Sequence, residues 1–384
     1  LFDSITQVGS RDKWYEHVKK IRSRNQPEVL INLAASFASV LIEPCGALPF
    51  IVCLWGGSGV GKTVILKLVT SVWADPGEGK YITDAKATTT AMEIRLNLLN
   101  SLPMTLDDMA QVKNQYDEDF SELIYRWCAG KGRDRSNTNL GLNKLTNWRN
   151  CTITNGERSL VDETTQGGAV NRVIDIEATE VLFNAKQGNE TINLVERNFG
   201  YAGRDFINLI NELKPDEINR IMNSYYDAIK KTAEAQNVEK EDKQIVPMAL
   251  ILTADELIEK HLFKDGIRLD VEHCCHYLKN KGEVSEHKRA YEYLQGTIAS
   301  NAFRFNDDPD DKEMGNVEKW GYWIDSNKIL IIGTIFDRIL KNGGFQSRAF
   351  LSWAKKNMIV ETDAQGHPKI VKKWNGSPVR CVVI

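Results

Sequence analysis

A glycine-rich segment that ends in a lysine and a threonine carries the strongest chemical signal in the chain. It reads Gly56-Gly57-Ser58-Gly59-Val60-Gly61-Lys62-Thr63 and follows the apolar run 50–55. Glycines let a backbone wrap around phosphate groups, and a helix N-terminus favours their negative charge. Lys62 would contact the β- and γ-phosphates, and Thr63 would place its hydroxyl on Mg²⁺. The pattern predicts a nucleotide site built from a strand, a loop and a helix.

An acidic pair follows the next apolar segment, which we predict to be a strand. Asp107 and Asp108 come directly after the run 102–106. In a phosphate-loop ATPase, Asp107 would hold Mg²⁺ together with Thr63, and Asp108 would polarise the attacking water. The second acid is more often Glu in such enzymes, so the shorter Asp puts the water position or the turnover in doubt. Acids that begin a helix are the alternative interpretation.

Two further polar residues lie at the ends of predicted strands. Asn155 directly follows the run 150–154, and an amide at this position can orient the lytic water. The alternative interpretation is a turn, because Asn-Gly is a common turn sequence. Arg172 precedes the apolar run 173–176. In a ring ATPase such an arginine points into the neighbour's nucleotide and stabilises transition-state charge. Taken alone, the residues favour an ordinary surface arginine at this position.

A basic segment separates the acidic pair from Asn155. Among glycines and asparagines it carries Lys131, Arg133, Arg135 and Lys144, and it follows a predicted helix at about 117–128. A hairpin with these side chains would bind nucleic-acid phosphates without regard to base sequence. A solvated loop is the alternative, and charge alone does not separate the two.

Helical patterns occupy the regions on both sides of this core. Residues 10–44 are predicted to be helices that brace the site, and Thr88 can cap a helix that runs to about Leu99. Residues 189–305 are mostly helical by pattern, which suits a lid over the nucleotide. The run His273-Cys274-Cys275-His276 fits no common zinc spacing, so we do not expect a metal there.

The end of the chain has the element order of a winged helix. After the acidic stretch 306–317, we predict a strand at 328–332, helices at 335–340 and 346–358, and two strands joined at Asn375-Gly376. The second helix of such a domain enters the major groove of DNA. The basic residues expected to face DNA are Arg348, Lys355, Lys356, Lys369, Lys372 and Lys373. Docking of another protein is the alternative use of this wing.

Length and composition limit the remaining possibilities. A chain of 384 residues predicts two or three domains, and its net charge of −3 argues against wholesale coating of nucleic acid. No stretch approaches the roughly 20 apolar residues of a membrane span, and no signal peptide opens the chain, so we expect a cytoplasmic protein. The seven cysteines fit reduced, mostly buried thiols. Because the chain begins at Leu1, we expect it to be part of a longer protein.

In their order along the chain, these motifs resemble the ATPase family known as domain of unknown function 927. Within it, they are similar to the replication-initiator helicases of staphylococcal mobile elements, the pathogenicity islands and resistance cassettes. The resemblance covers about residues 8–215 and rests on Gly-Gly-Ser-Gly-Val-Gly-Lys-Thr, Ser-Val-Trp-Ala-Asp-Pro, Leu-Asp-Asp, Gly-Lys-Gly-Arg-Asp-Arg-Ser-Asn, Asn-Gly-Glu and Asn-Arg-Val-Ile-Asp-Ile.

The resemblance implies an α/β fold with an AAA+ P-loop core, a parallel sheet between helices, of the MCM-like kind that forms a hexameric ring on DNA. It assigns Lys62 and Thr63 to Walker A, Asp107 and Asp108 to Walker B, and the segment 131–144 to a pore hairpin. Asn155 falls on sensor 1 and Arg172 on the arginine finger. No residue matches the sensor 2 arginine convincingly, and Arg289 is only a guess.

We therefore expect an ATP-driven DNA helicase that uses ATP and Mg²⁺ and acts in replication of a mobile genetic element. Its expected partners are single-stranded and forked DNA, further copies of the chain, and other replication proteins of the element. A non-processive initiator or loader that melts origin DNA and a protein-remodelling AAA+ module are the alternatives. The expected organisation is bracing helices at 1–48, the ATPase core at 49–188, the lid at 189–305, a linker at 306–317 and the winged helix at 318–384.

Overall fold

The computed structural model describes most of the chain, and it separates into two units. The described residues are 1–84, 87–109, 120–133, 146–161, 167–240, 242–280, 285–305, 318–374 and 377–384. The units are Leu1–Lys281 and Gly282–Ile384. The expected acidic linker at 306–317 and the turn at Asn375-Gly376 lie outside the described residues.

The first unit alternates strands and helices after an N-terminal helical pair. Its strands are β1 (Phe50–Gly56), β2 (Thr83–Asp84), β3 (Met104–Asp107), β4 (Cys151–Gly156) and β5 (Val173–Ala178). Its helices are α1 (Arg11–Arg22), α2 (Pro27–Ala38), α3 (Lys62–Ser71), α4 (Thr89–Leu99), α5 (Phe120–Ala129), α6 (Gly167–Val170), α7 (Ala185–Val195), α8 (Tyr201–Glu212), α9 (Pro215–Ala235), α10 (Asp242–Ile258) and α11 (Val271–Cys275).

Side-chain caps explain where several of these helices begin. The Ser10 hydroxyl accepts a hydrogen bond from the Lys13 N–H at the start of α1, and Thr88 accepts one from Ala91 at the start of α4. Such caps satisfy backbone donors that have no partner inside the helix. Both starts were predicted from the sequence, and both predictions are confirmed.

The five strands form one parallel sheet in the order β2-β3-β4-β1-β5. β1 lies between two neighbours, with Phe50 opposite Cys151 of β4 and Ile51 opposite Val173 of β5. Parallel strands need helical crossovers and are covered on both faces, which explains why β1 is an almost unbroken apolar run. The carboxyl ends of β1, β3 and β4 therefore meet at one edge of the sheet.

The helix α2 fills the space between the sheet and the helices that follow it. Ten of its residues are buried, and it packs against β1, β4 and β5, against α3 and against α10. Because α10 packs on α2 and α9, it belongs to the core of this unit. The region 189–305 was predicted to form a lid over the nucleotide, and α10 does not fit that prediction because it lies in the core. In contrast, α7 packs directly on α3, the helix that follows the glycine-rich loop.

The second unit carries the remaining elements. They are the helices α12 (Glu286–Ser300), α13 (Gly333–Asn342) and α14 (Ser347–Lys356), and the strands β6 (Gly321–Asp325), β7 (Lys328–Ile332), β8 (Ile370–Trp374) and β9 (Ser377–Val383). The strands form an antiparallel sheet in the order β6-β7-β9-β8. Two helices between two hairpins give the winged-helix-like arrangement that was expected.

One hydrophobic core joins the three helices of this unit to one face of its sheet. Leu294 of α12 and Phe336 of α13 are fully buried in it, next to Phe350 of α14 and Val382 of β9. Since α12 contributes to this core, the unit begins before residue 286. The expected boundary at 305, which assigned this helix to the lid, is therefore displaced.

A buried aspartate of β5 fixes the segment that follows β4. Asp175 is 9% exposed, and its carboxylate accepts hydrogen bonds from the Ser159 hydroxyl at 2.7 Å and from the Leu160 N–H at 3.2 Å. Burial raises the pKa of Asp175 from 3.8 to about 6, because the charged form loses its water, while these two hydrogen bonds act in the opposite direction.

The raised pKa of Asp175 predicts a pH-dependent penalty in the unit that contains it. The folded state holds the proton more tightly than the unfolded state, so the penalty is absent below pH 3.8, grows as the pH rises, and is complete above about 6. We expect Asp175→Asn to remove the penalty. Between pH 4.5 and 7.5, its free energy of unfolding should rise relative to the unchanged protein by about 2 kcal/mol, at about 1.4 kcal/mol per pKa unit.

Urea unfolding of the two proteins at several pH values measures this difference. A gap between the two free energies that does not change with pH would contradict a raised pKa at Asp175.

Candidate functional site

The glycine-rich loop turns directly from β1 into α3. Gly61 precedes the first residue of α3 with a φ of 104°, in the left-handed region that glycine tolerates best. A Cβ atom at Gly61 would lie 3.0 Å from Phe183, so this position also needs the space that glycine leaves. The Lys62 ammonium donates hydrogen bonds to the carbonyl oxygens of Gly56 at 2.8 Å and Gly57 at 2.7 Å. The lysine thus lies folded back along the loop.

A short segment after β5 holds this loop in place. The Val60 carbonyl accepts hydrogen bonds from the N–H groups of Leu182 at 2.9 Å and Phe183 at 3.3 Å. Arg24, between α1 and α2, donates a hydrogen bond to the Leu182 carbonyl and lies 4.5 Å above the ring of Phe183. Arg24 thus links the segment between α1 and α2 to the residues that hold the loop.

The acidic pair lies at the carboxyl end of β3, with Asn155 of β4 beside it. The Asn155 side-chain oxygen accepts a hydrogen bond from the Asp108 N–H at 2.8 Å, and the Thr154 hydroxyl accepts one from Met109 at 3.3 Å. Asp108 has a φ of 51°. Asp and Asn tolerate this left-handed conformation better than longer side chains, which gives a local reason for an Asp where Glu was expected.

These residues line one cavity of about 520 Å³ at the carboxyl edge of the sheet. Lys62, Thr63, Asp107, Asp108 and Asn155 all contribute to its wall, so the structure brings together five residues that the sequence predicted from separate motifs. Ser58, Gly59 and Gly61 line it as well, whereas Gly56, Gly57 and Val60 belong to the loop behind it. A cavity of this size is typical of small-molecule sites.

Sequence reasoning missed several residues of this wall. Glu157 follows β4 and adds a third carboxylate. Val64 of α3 and Gly156 of β4 also line the cavity, and the rest of the wall comes from α7 and the residues just before it: Phe183, Asn184, Ala185, Gly188, Asn189 and Ile192. The Asn184 side chain caps α7, and the Gln187 side chain accepts a hydrogen bond from the Asn184 N–H. That Asn-x-x-Gln spacing is a capping signal visible in the sequence.

Thr63 and Asp107 also line an adjacent cavity of about 590 Å³, and both are exposed. A hydroxyl and a carboxylate are oxygen donors of the kind that Mg²⁺ prefers. Asp84 of β2 is the parallel partner of Asp107 and lines the same cavity. In the described ranges, this cavity included, no group of three or more His, Cys, Asp or Glu residues could by itself hold a metal ion.

Arg172 lies at the opposite edge of the sheet, immediately before β5. Its carbonyl accepts a hydrogen bond from the Ile51 N–H at 2.9 Å, where β1 begins. Its guanidinium lies 4.4 Å above the ring of Tyr125 and donates a hydrogen bond to the Gly168 carbonyl. Since β1 and β5 run parallel, their amino ends are separated by the length of the sheet from the loop that carries Lys62. Arg172 therefore does not reach the cavity of its own chain.

The basic segment begins at the same amino edge. Lys131 and Asn147 form an isolated antiparallel bridge, and the Gly132 N–H donates to the Thr146 carbonyl at 2.9 Å. Lys131 and Arg133 are exposed, and Arg133 forms an ion pair with Glu122 at 3.4 Å. Arg135 and Lys144 lie outside the described residues. The two described ends of the segment thus run antiparallel, as the base of a hairpin does.

A second candidate site is a groove in the C-terminal unit. Arg348 and Lys355 of α14 line a cavity of about 1000 Å³ together with Lys369 and Arg380. Lys369 forms an ion pair with Asp337 at 2.7 Å, and the Lys355 ammonium donates to the Gly366 carbonyl at 2.6 Å. Lys356 is exposed but is not among the residues that line this groove.

The sheet separates Lys372 from this groove, although the sequence analysis placed it with Arg348 among the residues that face DNA. Lys372 pairs with Val379, and the neighbouring pair Val371 and Arg380 points to the opposite face because side chains alternate along a strand. Val371 and Arg380 line the groove. Arg380 was missed, although its spacing of two residues from the core residue Val382 places both on one face.

Three further features discussed in the sequence analysis lie outside these sites. Arg289 lies on α12 of the C-terminal unit, where burial lowers its pKa, and it stays a guess for sensor 2. All seven cysteines lie in the described part of the chain, are free, and are buried except for Cys45. Among the described helices, none combines the length and apolar character needed to cross a membrane.

Family models match two regions of the chain. The model described as "Domain of unknown function (DUF927)" matches residues 2–147. The model described as "Cch helix turn helix domain" matches residues 285–384. The first match confirms the resemblance found in the motifs, and the second coincides with the C-terminal unit from α12 onward.

Solved structures provide the comparison of fold. One described as "SCCmec type IV Cch - active helicase" has a TM-score of 0.73 at 19% sequence identity, and the alignment covers 99% of this chain and 71% of that chain. The chain therefore shares its fold. A second, described as "The A form apo structure of NrS-1 C terminal region-CTR", has a TM-score of 0.30 at 15% identity, with 94% and 75% covered, and is too dissimilar for further argument. No curated protein matches the chain.

Proposed function

We propose that this chain is an ATP-driven DNA helicase with an MCM-like AAA+ core that acts in replication of a mobile genetic element. The observation that carries the proposal is the convergence of Lys62, Thr63, Asp107, Asp108 and Asn155 on one cavity at the carboxyl edge of a parallel sheet. A glycine-rich loop, a cation, a hydroxyl and paired acids are the groups that nucleotide hydrolysis requires.

In this proposal each residue of the cavity has a role set by its position. ATP, bound with Mg²⁺, supplies the phosphoanhydride bond whose hydrolysis drives movement along DNA. Lys62 exchanges the carbonyl oxygens of Gly56 and Gly57 for phosphate oxygens, which its exposed ammonium can reach without a change in the loop. Thr63 and Asp107 hold the Mg²⁺ through their side-chain oxygens.

Asp108 and Asn155 act together on the attacking water. Asp108 polarises the water, and Asn155 fixes the position of Asp108 through the hydrogen bond between its side-chain oxygen and the Asp108 N–H. This hydrogen bond holds the backbone of Asp108 against β4, beside the loop that carries Lys62. Glu157 lines the same cavity and adds a further carboxylate to its wall.

The site is completed by a second copy of the chain. Arg172 lies at the amino edge of the sheet and so has no access to its own cavity, as its hydrogen-bonding position next to Ile51 demonstrates. In a closed ring two different faces of neighbouring protomers meet, and in this proposal they are the amino edge of one protomer and the carboxyl edge of the next. A hexamer is the ring size implied by the family resemblance. Arg172 then neutralises charge that develops on the neighbour's γ-phosphoryl group.

Two basic surfaces supply the DNA contacts in this proposal. The segment from Lys131 faces the channel of the ring and binds single-stranded DNA, and the groove lined by Arg348 and Arg380 binds duplex DNA at the fork. The match to a helix-turn-helix domain over residues 285–384 and a fold shared with a protein described as an active helicase support this assignment. A non-processive initiator or loader would use the same surfaces to melt an origin without unwinding a fork.

The trans arrangement of the site predicts complementation between two inactive variants. Lys62→Ala should abolish ATP hydrolysis by removing a phosphate contact, and Arg172→Ala should lower it by about 10³-fold or more, the range measured for arginine fingers. In a mixture, some interfaces pair an intact glycine-rich loop with an intact Arg172. We therefore expect part of the ATPase activity, measured as phosphate release, to return on mixing.

Co-assembly of the two variants, followed by analytical ultracentrifugation, is the control for this experiment. Normal hydrolysis by Arg172→Ala would contradict its role in catalysis. Mixed rings that form but stay inactive would contradict the shared site.

Because Arg380 and Lys372 lie on different faces of the C-terminal sheet, removing either positive charge should affect DNA binding differently. Arg380 lines the groove, while Lys372 projects from the other face, and both are exposed. We expect Arg380→Ala to lower the slope of log K against log salt for duplex DNA by about 1, since each phosphate contact releases counterions. Arg348→Ala should have the same effect, and binding titrations at several salt concentrations measure it.

Lys372→Ala is the matched control, because it removes the same charge from the same sheet. Its salt slope should equal that of the unchanged protein. If all three variants had the salt slope of the unchanged protein, the groove would be excluded as the DNA-binding surface.

A further inference from the structure

Tyr125 stacks against Arg172. The motifs described above assign a role to Arg172 but none to Tyr125. The guanidinium carbon of Arg172 lies 4.4 Å from the centroid of the Tyr125 ring. The ring belongs to α5, whereas Arg172 follows α6. Tyr125 is 47% exposed, so its ring lies at the surface beside Arg172.

The backbone of Arg172 is fixed from three sides. Its N–H donates to the Ala169 carbonyl at 3.0 Å, and its carbonyl accepts from Ile51 at 2.9 Å. The fully buried Gln244 of α10 donates from its side chain to the Val170 carbonyl at 3.0 Å and to the Val173 carbonyl at 3.3 Å. The start of the Arg172 side chain is thus anchored, and only its outer torsions remain adjustable.

The outer part of the side chain meets two partners. One guanidinium nitrogen donates a hydrogen bond to the Gly168 carbonyl, while the plane of the group lies over Tyr125. A Cβ atom at Gly168 would lie 3.5 Å from the Tyr125 ring and 3.6 Å from the Arg172 guanidinium, so the three groups pack as one cluster. An arginine has many rotamers in solution, and stacking on an aromatic face restricts them.

We propose that Tyr125 is a positioning residue for Arg172. The tyrosine ring holds the guanidinium at the amino edge of the sheet, where a second copy of the chain would meet it. This inference rests on the proposed function, in which Arg172 acts on the neighbour's nucleotide. The cation–π contact uses the face of the ring, and the phenolic hydroxyl takes no part in it. Tyr125 touches no nucleotide, and its effect on hydrolysis passes entirely through Arg172.

The substitution Tyr125→Leu tests the contact by removing the aromatic face while keeping an apolar side chain. We expect kcat for ATP hydrolysis to fall by about 3- to 10-fold, because Arg172 spends less time in the competent orientation. The KM for ATP should change by less than about 2-fold, since the cavity of the same chain is intact. Tyr125→Phe keeps the ring face and should restore kcat to within about 2-fold of the unchanged protein.

A matched control and a double variant separate positioning from a merely structural role. Tyr226→Leu removes a tyrosine of α9 that contacts Lys230 and Asp242 rather than Arg172, and should leave kcat unchanged. In an Arg172→Ala background, adding Tyr125→Leu should lower hydrolysis no further, because the residue it positions is absent. Circular dichroism and thermal unfolding verify that every variant is folded.

The outcomes distinguish this inference from the proposed function. If Arg172→Ala hydrolyses ATP normally, the shared active site fails, and the positioning role fails with it. If Arg172→Ala is inactive while Tyr125→Leu has normal kcat, the proposed function stands and the inference is wrong. A Tyr125→Phe variant as defective as Tyr125→Leu, or an additive loss in the double variant, would also overturn it.

Discussion

The parallel pairing of β1 with β4 on one side and β5 on the other is the constraint on which the rest of the structure depends. The registers Phe50 to Cys151 and Ile51 to Val173 align the strand ends. All carboxyl ends therefore meet at one edge, where the candidate nucleotide cavity forms, and all amino ends meet at the other. Arg172 and the basic segment from Lys131 are consequently kept away from the cavity, so in our account a working site needs the edges of two protomers.

A half-buried arginine and a fully buried glutamine, from distant parts of the sequence, fix the two edges. Arg24 reaches the Leu182 carbonyl and the ring of Phe183, which in turn packs against Gly61 of the loop. At the other edge, Gln244 donates to the carbonyls on both sides of Arg172. A buried polar group is costly unless it is paired, so each of these bonds specifies one arrangement of the backbone around it. Arg24 and Gln244 thereby support the backbone around the candidate site and around Arg172 without lining the cavity.

Local signals in the sequence predicted the elements and much of the cavity, because each strand end carries its own polar motif. Lys62, Asp107 and Asn155 were predicted from separate motifs, and strand pairing brings them together. The errors concern choices that depend on tertiary packing. An apolar helix such as α10 does not encode its partner, which is α2. The face of Lys372 depends on strand register, and Glu157 gained significance only once β4 lay beside β3.

Unwinding of a forked DNA duplex by the full chain tests the central claim most directly, because it requires nucleotide hydrolysis, assembly and DNA binding at once. A fluorophore and a quencher on the two strands of the fork would report strand separation over time. Our account predicts unwinding with ATP and Mg²⁺, and none with a non-hydrolysable ATP analogue or with Lys62→Ala protein. Unwinding that proceeds equally with the analogue, or binding and ATP hydrolysis without any strand separation, would contradict it.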